Sequence, residues 1–336
     1  MRKLKTVILA AGMGTRMKSD IPKCLHEILG HPMLYYVIEA ARTCGSDEIC
    51  VVIGHKGDLV RKAFEDQKDI TFVVQAEQKG TGHAVMMAQD FIGEEDCDVM
   101  ILFGDTPLVR GSVLQEMRHA HAKQRNAVTV LSAFLDDPTG YGRILRDDQN
   151  RFQGSVEHKD ANMDELKIHE VNSGIYCFSN EALRYSLKRI DNHNRQGEYY
   201  LPDTIKILLD NDKKAEALMT RDTSVVKGVN NRQQLLESQM ILKHRINRGH
   251  MEAGVSIMDE YSILISPEAE IGRDTRIMPG TVIEGHTVIG SRCVVGPNVH
   301  LIDATLGDRV QIASSTVQNA TVADDTIVPP YQWIKE

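Results

Sequence analysis

Thr6-Val7-Ile8-Leu9-Ala10-Ala11-Gly12-Met13-Gly14-Thr15-Arg16-Met17, followed by Pro22-Lys23, runs from a β-branched strand straight into a glycine loop. As a dinucleotide fingerprint the loop fails, because Met17 stands where the third glycine belongs, and as a P-loop it lacks the GK[ST] ending. It keeps the physics of anion binding: glycines that let backbone N–H groups approach, then Arg16 and Lys23 to neutralise the charge. A polyphosphate fits this better than a dinucleotide.

Outward from that loop, short apolar runs recur at Ile49-Cys50-Val51-Val52-Ile53, Thr71-Phe72-Val73-Val74, Val99-Met100-Ile101-Leu102 and Ala127-Val128-Thr129-Val130-Leu131. Between them Leu34, Val37, Ile38 and Ala41, and again Ala84, Met87 and Ala88, repeat at helical spacing. Strand alternating with helix predicts an α/β domain: a Rossmann-like, mainly parallel, mixed sheet with helices on both faces. Ligands of such sheets bind at the carboxyl ends of the strands. Residues 231–252 read as one linking helix, with Leu235, Met240, Leu242 and Ile246 as its apolar positions. After residue 253 an aliphatic residue returns about every six positions: Ile265, Ile271, Ile277, Ile283, Ile289, Val295, Leu301, Leu306, Ile312. That period predicts a short left-handed parallel β-helix of roughly four coils at ~18 residues each, with the pattern losing regularity after Ile312. The expected division is 1–230 for the α/β domain, 231–252 for the linker and 253–336 for the β-helix.

Composition removes whole classes of function. With 42% hydrophobic and 26% charged residues the chain reads as a folded globular protein, and no apolar run approaches the ~18 residues of a membrane span. The basic, apolar N-terminus flows into the glycine loop instead of a cleavage region, so it does not read as a signal peptide. A net charge of -8 without a basic tract argues against nucleic acid as partner. The six cysteines show no CxxC pair or zinc spacing, which suits reduced thiols in a cytoplasmic protein.

LAAGMGTRM with Pro22-Lys23 resembles the signature of sugar-nucleotide pyrophosphorylases. Six further stretches narrow the resemblance: Gln75 to Ala84 (QAEQKGTGHA), Phe103 to Leu108 (FGDTPL), Gly140 to Ile144 (GYGRI), Val156 to Asp160 (VEHKD), Val171 to Ile175 (VNSGI) and Gly228 to Arg232 (GVNNR). In this order they resemble the uridylyltransferase half of the bifunctional bacterial enzyme that acetylates glucosamine 1-phosphate and then uridylylates it.

The resemblance implies transfer of UMP from UTP to N-acetylglucosamine 1-phosphate. It places the backbone of Ala11 and Gly12 against the uracil, with Gln75, Gly80 and Thr81 completing base recognition, and the same motifs bring Leu9, Ala10, Phe103 and Gly104 into the substrate set. Arg16 and Lys23 would hold the triphosphate as catalytic groups. Asp105, at the end of its strand, and Asn230 would ligate Mg2+, an ion that prefers oxygen donors. Asn230 also reads as the N-cap of the following helix. Gly142, Glu157 and Asn172 match the family's sugar contacts, and Tyr199 and Tyr200 belong to a further motif in which Pro202 replaces the commoner threonine. The resembled enzyme has a longer β-helix bearing its acetyltransferase residues. The shorter repeat here predicts no acetyl transfer, reads His286 and His300 as surface residues, offers Trp333 as a cap for the open end, and leaves assembly as a trimer the expected oligomer. Two other readings compete: a nucleotidyltransferase for another sugar 1-phosphate or NTP, and a non-catalytic subunit that binds a sugar nucleotide.

Overall fold

A computed structural model describes residues 2–336, which form two compact units: the chain up to His26 with Pro32–Gln234, and Glu27–His31 with Leu235–Glu336. The first unit is built on a nine-stranded sheet. Its strands are β1 (Lys3–Ala10), β2 (Glu48–Ile53), β3 (Ile70–Val74), β4 (Cys97–Phe103), β5 (Val128–Phe134), β6 (Gly142–Arg146), β7 (Phe152–Val156), β8 (Glu170–Ser179) and β9 (Ala215–Met219). The sheet order is β9-β5-β8-β4-β1-β2-β3, with β6 attached to β8 and β7 to β6.

From β4 to β3 the ladder is parallel, with Ile8 level with Val51 on one side and Leu102 on the other. β8 enters antiparallel between β4 and β5, which makes the sheet mixed. Alternate residues of each strand face opposite sides. Leu4, Ile8, Val51 and Leu102 join a core with Leu34, Val37 and Ile38 of helix Met33–Cys44 and Leu114 and Met117 of helix Gly111–Gln124. Val7, Leu9, Val52 and Ile101 join another with Ala84, Val85, Ala182 and Leu183. Burial on both faces explains why these strands read as unbroken apolar runs.

The second unit holds the β-helix, in which two- and three-residue strands stack into parallel ladders of five, five and four. The nine aliphatic positions picked out by the six-residue period all point into its core. The repeat does not lose regularity after Ile312: Val317, Val322, Val328 and Ile334 continue it, and one ladder runs Ile265, Ile283, Leu301, Val317, Ile334. Coil length along this ladder falls from eighteen residues between 283 and 301 to sixteen between 301 and 317. Shortened corners, at 301–306, 312–317 and 317–322, hide the period from a fixed six-residue ruler while leaving the register intact. Trp333 is no cap, being 72% exposed on the outer side of its strand, and Ile334 is the residue that turns inward.

Helix Arg232–Glu252 departs from its reading too. Of the four apolar positions named from spacing, only Ile246 packs on the β-helix core, and the residues the helix buries are Ser238, Lys243 and Asn247. Lys243 Nζ donates to Tyr261 O at 2.8 Å, which satisfies the buried ammonium through a backbone carbonyl.

Leu301 is fully buried with coil neighbours above and below. Leu301→Ala should therefore cost ~3 kcal/mol in urea unfolding, whereas Thr305→Ala, on an exposed position, should stay within about 0.5 kcal/mol.

Candidate active site

β1 and β4 end level with each other, Leu9 opposite Phe103, and Gly104 N donates to Leu9 O at 3.0 Å. Both chains leave the sheet at one height, so the two loops that follow face a common space. That space is a cavity of about 280 Å³ lined by Leu9, Ala10, Ala11, Gly12, Lys23, Gln75, Gly80, Thr81, Phe103, Gly104 and Asp105, all named from the sequence. Cys24, Gln78, Ala84 and Glu198 line it as well. Gln78 stood inside a quoted motif without a role; its Nε2 donates to Ala11 O at 2.5 Å and so holds the glycine loop to the opposite wall.

Gln75 is 4% exposed and spends its amide protons on Gly80 O at 3.2 Å and His83 Nδ1 at 3.0 Å. Its Oε1 is thereby left as an acceptor. Cys24, beside the ion pair described next, stays a thiol because burial, then the Asp105 carboxylate, push its pKa up to about 12. It is not a nucleophile at neutral pH.

At the mouth of the cavity two cations meet two oxygen donors. Lys23 forms an ion pair with Asp105, both side chains less than one-fifth exposed, and its Nζ also donates to Asn230 Oδ1 at 3.2 Å. Arg16 donates to the same Oδ1 at 2.8 Å. Gly14 makes this possible. It has φ +61°, and a Cβ there would lie 2.7 Å from Lys23 Cβ, so a side chain at 14 would push Lys23 out of the site. Asn230 is brought in by the backbone bond from Val229 N to Asp105 O at 2.9 Å. The N-cap is Asn231, not Asn230: Asn231 Oδ1 accepts from Gln234 N at 2.9 Å, and Gln234 Oε1 accepts from Asn230 N at 2.7 Å. The capping arrangement leaves the Asn230 carbonyl oxygen to the two cations.

The three residues named for the sugar form a second group outside that cavity. Gly142 pairs with Asn172 across β6 and β8, and Asn172 Nδ2 donates to Ser155 Oγ at 3.1 Å and Tyr176 OH at 2.8 Å. A bulge between Asn172 and Tyr176 aims the amide, and Gly174 (φ +81°) lies where a Cβ would strike Phe103 Cε2 at 2.7 Å. Glu157 has its carboxyl pKa raised by burial first, then by Asp203, Asp160 and Glu198. Asp203 is raised to about 6 by burial, then by Asp191 and Asp160. Tyr199 contributes backbone, its carbonyl accepting from Gly82 N at 2.8 Å, while Tyr200 is buried and bonded to Gln196. Pro202 precedes helix Asp203–Leu209, a place that proline tolerates, so the loop forms without the threonine.

Among the described residues no cluster of three or more His, Cys, Asp or Glu could hold a metal, so any cation site here rests on a carboxylate and an amide. No helix of the described residues is long and apolar enough to cross a membrane.

Residues 5–232 match the nucleotidyl transferase family, and residues 268–302 match the bacterial transferase hexapeptide repeats. The bifunctional protein GlmU of Thermoanaerobacter pseudethanolicus is 44% identical over 335 residues, which span 100% of this chain and 72% of that protein. The bifunctional GlmU of Acetivibrio thermocellus is 42% identical over 332 residues (99% and 72%), and that of Bacillus velezensis 41% over 335 residues (100% and 73%). With a matching family over the sheet unit, matching repeats over the β-helix and relatives aligned along its whole length, the chain belongs to the nucleotidyl transferases of the GlmU family.

Proposed function

We propose that the chain transfers UMP from UTP to N-acetyl-α-D-glucosamine 1-phosphate, giving UDP-N-acetylglucosamine and pyrophosphate. The observation that carries this reading is the convergence of Arg16, Lys23, Asp105 and Asn230 beside a cavity walled by backbone and amide groups. Uracil presents a carbonyl, an N–H and a carbonyl along one edge. The backbone N–H groups of Ala11 and Gly12 suit its oxygens, and the Gln75 Oε1 left over from internal bonding suits its N–H. On the sugar side, Gly142, Glu157 and Asn172 offer a close backbone, a carboxyl and an amide to hydroxyls and an acetamide.

The phosphate oxygen of the sugar phosphate is ionised near neutral pH and needs no base. It attacks the α-phosphorus of UTP in line with the departing pyrophosphate, forming the new P–O bond as the old one breaks. The protein's task is to position the two phosphates and neutralise their charge. Arg16 binds the triphosphate through its planar fork, and Lys23 follows the charge onto pyrophosphate. Asp105 and Asn230 turn two oxygen donors toward one cation, Lys23, and this donor set fits Mg2+, which commonly takes one or two protein oxygens alongside phosphate and water. When bound there the ion would lower the cost of charge on the α-phosphate and orient it.

We place acetyl transfer outside these residues. The β-helix histidine His300 is engaged on the surface with Glu284 at 2.8 Å, and neither it nor His286 belongs to a buried constellation. The hexapeptide repeats support assembly as an oligomer, here a trimer, which sedimentation would read as a threefold mass and a monomer would refute. Six buried, free cysteines accord with a cytoplasmic setting.

Steady-state rates with a panel of NTPs and sugar 1-phosphates should single out UTP with N-acetylglucosamine 1-phosphate. Lys23→Ala and Asp105→Ala should each lower kcat by about 10²-fold or more with little change in uridine nucleotide binding, and near-normal magnesium-dependent turnover of Asp105→Ala would refute the metal role. With acetyl-coenzyme A and glucosamine 1-phosphate the same protein should form no acetylated product. The raised Asp203 carboxyl sets a pH test. Its folded pKa lies above the unfolded value, so the native state loses stability as pH rises through about 6. Thermal melts should show Asp203→Asn more stable than the parent at pH 7.5, with the gain shrinking as pH falls toward 4.

A further inference from the structure

The amino ends of β4, β5 and β9 surround a second cavity, of about 670 Å³, together with the carboxyl end of antiparallel β8. It lies at the edge of the sheet opposite the phosphate loop, roughly 20 Å away along β4 at ~3.3 Å per residue. Nothing in the proposed reaction uses it.

Its floor is polar and buried. Asp98, His121 and Asn126 line it at 3%, 2% and 4% exposure. His121 Nδ1 and Asn126 Nδ2 each lie 2.9 Å from Thr129 Oγ1. The amide can only donate. If Thr129 then gives its one proton to the ring, both of these contacts are made and the ring proton rests on Nε2. Burial holds the imidazole neutral by lowering its pKa to about 4. Nε2 is 3.9 Å from Asp98 Oδ1, too far for a hydrogen bond. Among the described residues no donor reaches the Asp98 carboxylate, whose pKa burial raises, and Asn126 Oδ1 is buried without a partner.

The Asp98 carboxylate and the His121 Nε2–H line the cavity without a protein hydrogen bond among the described residues, which leaves an acceptor and a donor open to a ligand. A pair of ring hydroxyls meets them, since each hydroxyl gives one proton and accepts others. Ala122, Ala127 and Leu208 supply an apolar wall for the C–H face of a sugar ring. At the rim Arg125 and Lys213 are exposed and form no ion pair among the described residues, and Lys214 stands beside them. Such cations suit a phosphate, held against the Asp96, Glu181 and Asp212 carboxylates that line the same cavity.

We propose that this cavity is a second ligand site that binds a sugar phosphate, its ring hydroxyls on Asp98 and His121 and its phosphate on Arg125 and Lys213. The inference stands on the cavity alone and does not depend on the reaction proposed above.

Isothermal titration of the full chain with glucose 6-phosphate, fructose 6-phosphate and glucosamine 6-phosphate tests it, because none carries the 1-phosphate of the proposed substrate. At least one should bind at one site per chain, with glucose and inorganic phosphate each weaker by about tenfold or more. Asp98→Asn should abolish the heat and Lys213→Ala weaken it, while Lys23→Ala, in the other site, should leave it unchanged. Should Asp98→Asn fail to fold by circular dichroism, the exposed Lys213→Ala decides. Absence of binding by all three compounds, loss of binding in Lys23→Ala with retention in Lys213→Ala, or equal affinity for inorganic phosphate would each overturn the proposal.

Discussion

The Lys23 ammonium, shared between the Asp105 carboxylate and the Asn230 carbonyl oxygen, is the contact on which the site depends. Its partners are 82 and 207 residues distant in sequence, so the sheet must be complete before it can form. β4 delivers Asp105, the Gly14 turn admits Lys23, and the Val229-to-Asp105 backbone bond carries Asn230 across. Capping of the next helix by Asn231 keeps Asn230 free of a structural duty it would otherwise perform. Each arrangement is needed for the same three atoms to meet.

The site divides by polarity in a way that suits group transfer. The end proposed for the base is neutral, made of backbone and of amides, Gln75 with both amide protons committed and Gln78 with one. The middle is ionic, with fixed positive charge placed where negative charge would gather. The end proposed for the sugar holds carboxyls raised by burial and by neighbouring carboxylates, Glu157 and Asp203 among them. Hydrogen bonds from hydroxyls would relieve that crowding, whereas a second anion would worsen it, so the arrangement sorts the phosphate and hydroxyl parts of one ligand.

Much of this architecture was legible because burial imposes periodicity. Strands covered on both faces must be apolar throughout, and a β-helix coil admits one aliphatic residue per face, so both announced themselves. The continuation from Val317 to Ile334 did not, since shortened corners shift the period while the hydrogen-bond register absorbs the change. The helix Arg232–Glu252 misled for the opposite reason: Lys243 is buried through a bond to a carbonyl that no sequence spacing reveals. Motif resemblance supplied residues, but not which atom of each is available. That Gln75 keeps its oxygen and that Asn231 takes the cap follow only from hydrogen bonds of the folded chain. The cavity around Asp98, His121 and Asn126 was invisible for the same cause, its members being ordinary residues until the sheet brings them together.

Direct displacement at the α-phosphorus is where the proposed reaction is most exposed to refutation; Cys24, a thiol lining the cavity, is held protonated by burial and by Asp105. The stereochemical course decides it. A single stereoisomer of UTP bearing sulfur on its α-phosphorus, turned over with N-acetylglucosamine 1-phosphate, should give product inverted at phosphorus. Retention would require an intermediate bound to the protein and would contradict a site built only to position and neutralise.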